Sequence, residues 1–169
     1  NQLVESNSEN DVYIIGVTHA LLQWAEALEV AAARHWSTLN LHVVETGGMK
    51  GQGPELVRSE VHDRLGKLVS NQGICSEYGM TELLSQAWSK GNGLFKAPSW
   101  MQVLVGSLDD PREWKASGQQ GRLHIIDLAN IASCAFLASG DIGRLHEDGT
   151  FEVLGRYDHA EVRGCNLMA

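Results

Sequence analysis

The sequence predicts a layered α/β unit followed by a mainly β segment. Two patterns and the break between them lead there. The first part alternates short apolar runs with amphipathic helical stripes. From Trp100 onward the chain is a series of short strand-like runs separated by turn signals. A glycine- and proline-bearing stretch, Gly93 to Ser99, lies between them, so the expected portions are 1–95 and 96–169.

Taken in order, the polar first ten residues read as a loop or a disordered start. Val12 to Val17, VYIIGV, suits a buried strand. Thr18 to His35 reads as a helix, with Leu21, Trp24, Ala25, Leu28, Ala31 and Ala32 near one stripe. Leu39 to Val44 reads as a second strand and runs into the glycine-rich TGGMKGQG. Gly53-Pro54 opens a second helix, because proline at the first turn lacks an N–H that would be unpaired there anyway. Val57, Val61, Leu65 and Leu68 form its apolar face. A short strand near Ile74 leads into EYGMTE, and Thr81 to Trp88 suits a short helix with Thr81 at its start. In the second portion MQVLVG, GRLHIIDL, CAFLA, GRLHE and TFEVLG are strand-like, and His146 to Gly149 is a hairpin turn.

Composition narrows the function classes. The chain has 169 residues, 43% hydrophobic, with a formal net charge of -8. That acidity argues against a nucleic-acid partner, which calls for a basic field over a groove. No run approaches a membrane span of about 18 apolar residues, and Asn1 to Asp11 lacks the features of an export signal. A start at Asn suggests a processed chain or a piece of a longer one. Cys75, Cys134 and Cys165 match no zinc or redox spacing. They read as buried free thiols in a reducing compartment, which makes the expected location cytoplasmic. The histidines give no i,i+4 pair; His42 and His62 read as structural, whereas His159 beside Asp158 stays open. There is no GxSxG elbow.

Four segments carry chemistry. In Tyr78-Gly79-Met80-Thr81-Glu82 the glycine permits a tight turn, and Thr81 can offer its hydroxyl to a phosphate oxygen. Glu82 is a hard oxygen donor of the kind that holds magnesium beside phosphate, and Tyr78 has a flat ring. Taken alone, Thr with a nearby Glu is also an ordinary helix cap. In Ser139-Gly140-Asp141 the carboxylate, read in a loop between strand-like runs, can accept both hydroxyls of a ribose; an ordinary turn Asp is the alternative. In Gly155-Arg156-Tyr157-Asp158 the guanidinium fork can reach anionic or ribose oxygens, or simply form a surface ion pair. In Thr46-Gly47-Gly48-Met49-Lys50 the glycine pair at a strand end lets a ligand lie against backbone, but the spacing is not that of a P-loop.

As an ordered set, these segments resemble the adenylate-forming superfamily of acyl-CoA synthetases and luciferase-type enzymes. TGGMKG resembles its adenine-packing glycine pair, EYGMTE its central motif, SGDIG its ribose segment and GRYDHAEVRG the junction with its small mobile domain. DLANI, SCAF and RGCNLM look closest to the acyl-protein synthetase branch, the fatty-acid ligases of bacterial luminescence; phenylacetate-CoA ligases are the near neighbour. The resemblance implies part of the large N-terminal domain. It also implies roles: Gly47 and Gly48 would line adenine with Tyr78 stacked on it, Gly79 would belong to the nucleotide site, Thr81 would touch phosphate, and Glu82 would hold Mg2+. Asp141 and Arg156 would lie at the ribose, with Asp158 as the hinge. The implied function is an ATP-dependent acid:thiol ligase that makes acyl-AMP and passes the acyl group to CoA or a protein cysteine. A non-catalytic nucleotide-binding or interaction module of the same descent is the alternative. The family's phosphate loop and its catalytic lysine have no counterpart within the 169 residues. The chain by itself is therefore expected to bind AMP or ATP weakly, not to complete the reaction, and to expose apolar surface that favours self-association.

Overall fold

The computed structural model describes residues 11–30, 40–47, 56, 58–67, 74–91 and 93–157. The readings for the polar start, the end of the first helix, Gly48 to Pro54, Val57, Leu68, and everything from Asp158 on lie outside these residues. The chain divides between Glu77 and Tyr78 into two compact units.

In the first unit, β1 (Asp11–Gly16), α1 (Thr18–Val30), β2 (Asn40–Thr46), α2 (Arg58–Gly66) and β3 (Cys75–Tyr78) follow in order, with Tyr78 itself counted in the second unit. β1 pairs parallel with β2 and β2 with β3, as strand–helix–strand connections require. The core takes Leu21, Leu22 and Ala25 from α1, Leu41 and Val43 from β2, and Val61 and Leu65 from α2. Val12 and Ile14 pack against it. The run VYIIGV is half-buried, and on this side alone: Tyr13 and Ile15 point the other way and are exposed. Side chains of a strand alternate between faces. On that exposed side Tyr13 stacks on His42, ring centres 4.6 Å apart.

The second unit is an antiparallel sheet in the order β4 (Ala87–Ser89), β5 (Leu94–Lys96), β9 (Phe151–Arg156), β8 (Phe136–Leu145), β7 (Gln120–Asp127), β6 (Met101–Gly106). Residues 78–95, which the sequence places in the first portion, fold here, because β5 pairs with β9. Met101, Val103 and Val105 alternate inward on β6, as do Leu123 and Ile125 on β7, around Phe95 and Phe151. The expected hairpin turn forms: His146 N–H donates to the Thr150 carbonyl at 2.8 Å, and Gly149 takes φ 81°.

Three readings are corrected. Thr81 to Trp88 is not a helix; Thr81 and Glu82 lie in a turn closed by Leu83 N–H on the Met80 carbonyl at 3.0 Å. From Leu83 to Ser89 burial alternates residue by residue, the period of an extended chain. The runs CAFLA and GRLHE are not two strands around a loop. They belong to one strand, β8, that passes straight through Ser139-Gly140-Asp141 and absorbs its irregularity in a shifted register at Ile142/Gly143. Cys134, expected buried, is exposed, in the turn before β8; Cys75 is half-buried, and Cys165 lies outside the described residues.

Gly143 shows how closely β7, β8 and β9 meet. A Cβ there would lie 2.3 Å from the Glu152 carbonyl oxygen and 2.5 Å from Leu123 Cδ2. Gly143→Ala should therefore lower stability by about 1–3 kcal/mol, the usual cost of overpacking. Chemical denaturation measures it, and an unchanged midpoint would show that the three strands can separate at no cost.

Candidate functional site

Antiparallel pairing sets Asp141 on β8 opposite Arg156 on β9. Directly paired residues present their side chains on one face. Arg156 Nη1 lies 4.0 Å from Asp141 Oδ1, and the arginine is largely exposed while the carboxylate is nearly buried. Tyr78 completes the group from 63 positions away: its hydroxyl donates to Asp141 Oδ2 at 2.7 Å. The Tyr78 ring is held by Phe151 edge-on at 5.4 Å and by Phe95 at 5.8 Å. Burial pushes the Tyr78 hydroxyl far above its ordinary value, and the Asp141 charge and hydrogen bond push it further. It stays protonated as a donor across all working pH.

Backbone detail fixes Asp141 without a loop. Its N–H donates to Ser139 Oγ at 3.1 Å, and that hydroxyl donates onward to the Leu123 carbonyl at 3.0 Å. Tyr157 N–H donates to the Gly140 carbonyl at 2.7 Å. Arg122 Nε donates to the Ser139 carbonyl at 2.7 Å. The result is a carboxylate with one oxygen taken by Tyr78 and the other turned toward a cation. Such a group can accept hydroxyls of a sugar and hold them against a guanidinium.

Thr81 and Glu82 both stand exposed on the Met80–Leu83 turn. The chain after this turn is held by Asp127, which lies at the end of the strand-like run GRLHIIDL and opens DLANI. Asp127 is fully buried. Its Oδ2 accepts from Leu84 N–H and Ser85 N–H, each at 2.9 Å, and its Oδ1 accepts from the Ser85 hydroxyl at 2.7 Å and Ala129 N–H at 3.1 Å. Trp100 Nε1 donates to Ser85 Oγ at 2.9 Å, and Asn130 Nδ2 donates to the Glu82 carbonyl at 2.8 Å. Burial alone would raise the Asp127 pKa. The Ser85 hydroxyl and the Leu84, Ser85 and Ala129 amides outweigh that and hold it below the ordinary carboxyl value. A signal for it was present: Leu123 and Ile125 set a period of two that points Asp127 inward, and a buried carboxylate must find donors.

Tyr78, Asp141 and Arg156 are thus brought together, and Thr81 and Glu82 follow Tyr78 on an anchored turn. Gly79 is exposed and does not take a left-handed conformation. Gly47, in the first unit, ends β2 at φ 70°, a conformation that favours glycine. The Thr18 hydroxyl is within hydrogen-bond reach of both its carbonyl and Glu45 Oε1. Gly48 and Asp158 lie outside the described residues. Among those residues no three His, Cys, Asp or Glu cluster for a metal, and no helix is long and apolar enough to cross a membrane. An open cleft of about 700 Å³ lined by Leu84, Ser85, Trp88, Lys96 and Trp100 contains none of the predicted site residues.

No protein-family model matches the sequence, and no curated protein matches it. Solved structures do. ATP-bound MatB from Rhodopseudomonas palustris matches at 14% identity and a TM-score of 0.62, over 92% of this chain and 32% of its own. The luciferase-like enzyme from the nonluminescent Zophobas morio mealworm matches at 16% identity and 0.61, over 92% and 40%. A long-chain-fatty-acid-CoA ligase, FadD1 from Archaeoglobus fulgidus, matches at 17% and 0.64, over 85% and 34%. The chain spans between 32% and 40% of the length of these structures. At such identities the likeness is one of fold, and the fold is that of part of the N-terminal domain of adenylate-forming enzymes.

Proposed function

We propose that these residues form the nucleotide side of an ATP-dependent acid:thiol ligase. The observation that carries the reading is the Tyr78–Asp141 hydrogen bond with Arg156 beside it. It joins three segments that the sequence singled out separately, inside a fold shared with ATP-bound MatB. Asp141 takes the ribose hydroxyls and Arg156 supports them. Tyr78 lines the adenine, Gly79 belongs to the same nucleotide site, and Thr81 donates to a phosphate oxygen.

The substrate's carboxylate attacks the α-phosphorus of ATP, giving acyl-AMP and pyrophosphate, and a thiol then displaces AMP. Charge builds on the phosphoryl oxygens in the first step, so donors fixed in advance at those oxygens lower its barrier. Glu82 is a single exposed carboxylate, which fits magnesium that draws its other ligands from phosphate and water. Bound there, the ion would neutralise phosphate charge. Following the resemblance to acyl-protein synthetases, the acid is a fatty acid and the acceptor a protein cysteine, with CoA as the alternative acceptor. The free thiols of Cys75 and Cys134 suit a reducing, cytoplasmic setting. Exposed Tyr13 and Ile15 favour self-association.

Two measurements test this. In the 169-residue chain, Asp141→Ala should weaken AMP binding by about tenfold or more, since a hydrogen bond to a charged acceptor is worth about 1.5–3 kcal/mol. Unaltered affinity by calorimetry would remove Asp141 from the ribose. In a protein that carries these residues with the remainder of the neighbours' fold, ATP–pyrophosphate exchange should appear with fatty acids and fall sharply in Glu82→Gln. Exchange with no acid of a fatty and aromatic panel would leave a nucleotide-binding module in its place.

A further inference from the structure

We propose that Asp127 and Asn130 are positioning residues that hold the Thr81-Glu82 turn at the geometry needed for a phosphate and its counter-ion. The inference rests on the nucleotide reading above and adds the groups that set its phosphate end.

Thr81 and Glu82 stand exposed on a turn of a few residues. Its backbone is closed by Leu83 N–H on the Met80 carbonyl. Such a turn has many conformations open to it unless its ends are fixed. One end is fixed by Tyr78, buried between Phe95 and Phe151. The other end is fixed by Asp127, whose carboxylate gathers the Leu84 amide together with the Ser85 amide and hydroxyl. Those donors would otherwise be available to continue a helix. Asn130 ties down the middle by donating to the carbonyl of Glu82 itself.

Asp127 and Asn130 sit at either end of one short 3-10 turn, Leu128–Asn130, that Asp127 caps by accepting from the Ala129 amide. Both are buried. The turn presenting Thr81 and Glu82 is therefore referenced to the end of β7 and not to its own sequence. Neither residue touches the ligand in this scheme; each acts through backbone that carries the residues that do.

Asp127→Asn keeps the shape and puts an NH2 group where a carboxylate oxygen receives two donors at present. Two readouts on the 169-residue chain separate positioning from general damage. The first is affinity for AMP against affinity for adenosine. Adenosine uses Tyr78, Asp141 and Arg156, whereas AMP adds the phosphate contact of Thr81. AMP affinity should fall about tenfold while adenosine affinity stays level, the scale of one charge-assisted hydrogen bond. The second is amide hydrogen exchange by NMR. The amides of Thr81, Glu82, Leu84 and Ser85 should exchange at least about tenfold faster relative to those of Val103 and Ile125, which follow the global stability.

Asn130→Ala should act in the same direction, and it decides the matter if Asp127→Asn fails to fold. Unchanged AMP affinity together with unchanged turn exchange would overturn the proposal, as would an equal loss for adenosine and AMP. If the unmodified chain binds neither nucleoside nor nucleotide, the nucleotide reading fails while the exchange arm still decides whether Asp127 and Asn130 hold the turn.

Discussion

Replacing Phe151 by alanine should remove about 3–5 kcal/mol from the stability of the antiparallel unit, the range for a buried aromatic cut to a methyl. Phe151 is fully buried at the start of β9. It lies opposite Phe95 on one side and Leu145 on the other. Its ring stacks on Phe95 with centres 5.5 Å apart and meets Tyr78 edge-on at 5.4 Å. Little can move into the space, because the same ring spaces two strands and one site residue. A typical domain has only about 5–15 kcal/mol in all, so much of the unit's margin would go. Urea denaturation followed by near-ultraviolet circular dichroism measures the loss. Tyr78 should also lose its fixed position, so AMP affinity should fall even in molecules that remain folded. A cost under about 1 kcal/mol would mean that the aromatic cluster is not the centre of this core.

Acid should reveal the Asp127 carboxylate as the second large contribution. Its folded pKa is depressed: burial raises it, but the donors from Ser85, Leu84 and Ala129 more than compensate. For a depressed carboxyl the stabilisation is fully present above its unfolded pKa, about 3.9, and is lost as pH falls through the lower folded value. At neutral pH Asp127→Ala should cost about 3–5 kcal/mol, because several charge-assisted hydrogen bonds at about 1.5–3 kcal/mol each are broken and buried donors are left unpaired. The difference between the unmodified chain and the variant should shrink below pH of about 4. Asp110, half-buried, and Glu113 and Asp148, both exposed, are also depressed by neighbouring donors, but they are common to both proteins and cancel. A gap that stayed constant from neutral pH down to about pH 2 would show that the Asp127 charge plays no part.

What was legible in the sequence follows from how local each signal is. The Leu21/Ala25 stripe of α1 and the alternation on β6 and β7 are patterns over a few residues, and the structure repeats them. The hairpin at His146 to Gly149 was readable for the same reason. The segments of Tyr78, Asp141 and Arg156 stood out singly, each by its chemistry, and the resemblance supplied their order. Their meeting depends on the β8–β9 register and on a hydrogen bond across 63 positions, neither of which a local window contains. The helix expected at Thr81 failed because Asp127, 42 residues beyond Ser85, takes the amides that such a helix would need. Asp141 read as a loop residue because CAFLA and GRLHE looked like separate strands on either side of it. Ser139 instead accepts from its amide and lets the strand run on.

One feature of β6 bears on behaviour in concentrated solution. β6 ends the second unit's sheet, and an edge strand offers unpaired backbone groups to any other extended chain. Here the segment after β6 folds back along that edge. Lys115 N–H donates to the Val105 carbonyl at 2.8 Å, Ser107 N–H donates to the Glu113 carbonyl at 2.8 Å, and Trp114 bridges to Gly106. A foreign strand seeking to extend the sheet at the Val105 end would first have to displace these bonds. Cutting the segment between Ser107 and Lys115 would open that edge, and the nicked protein would be the form to watch for fibril growth.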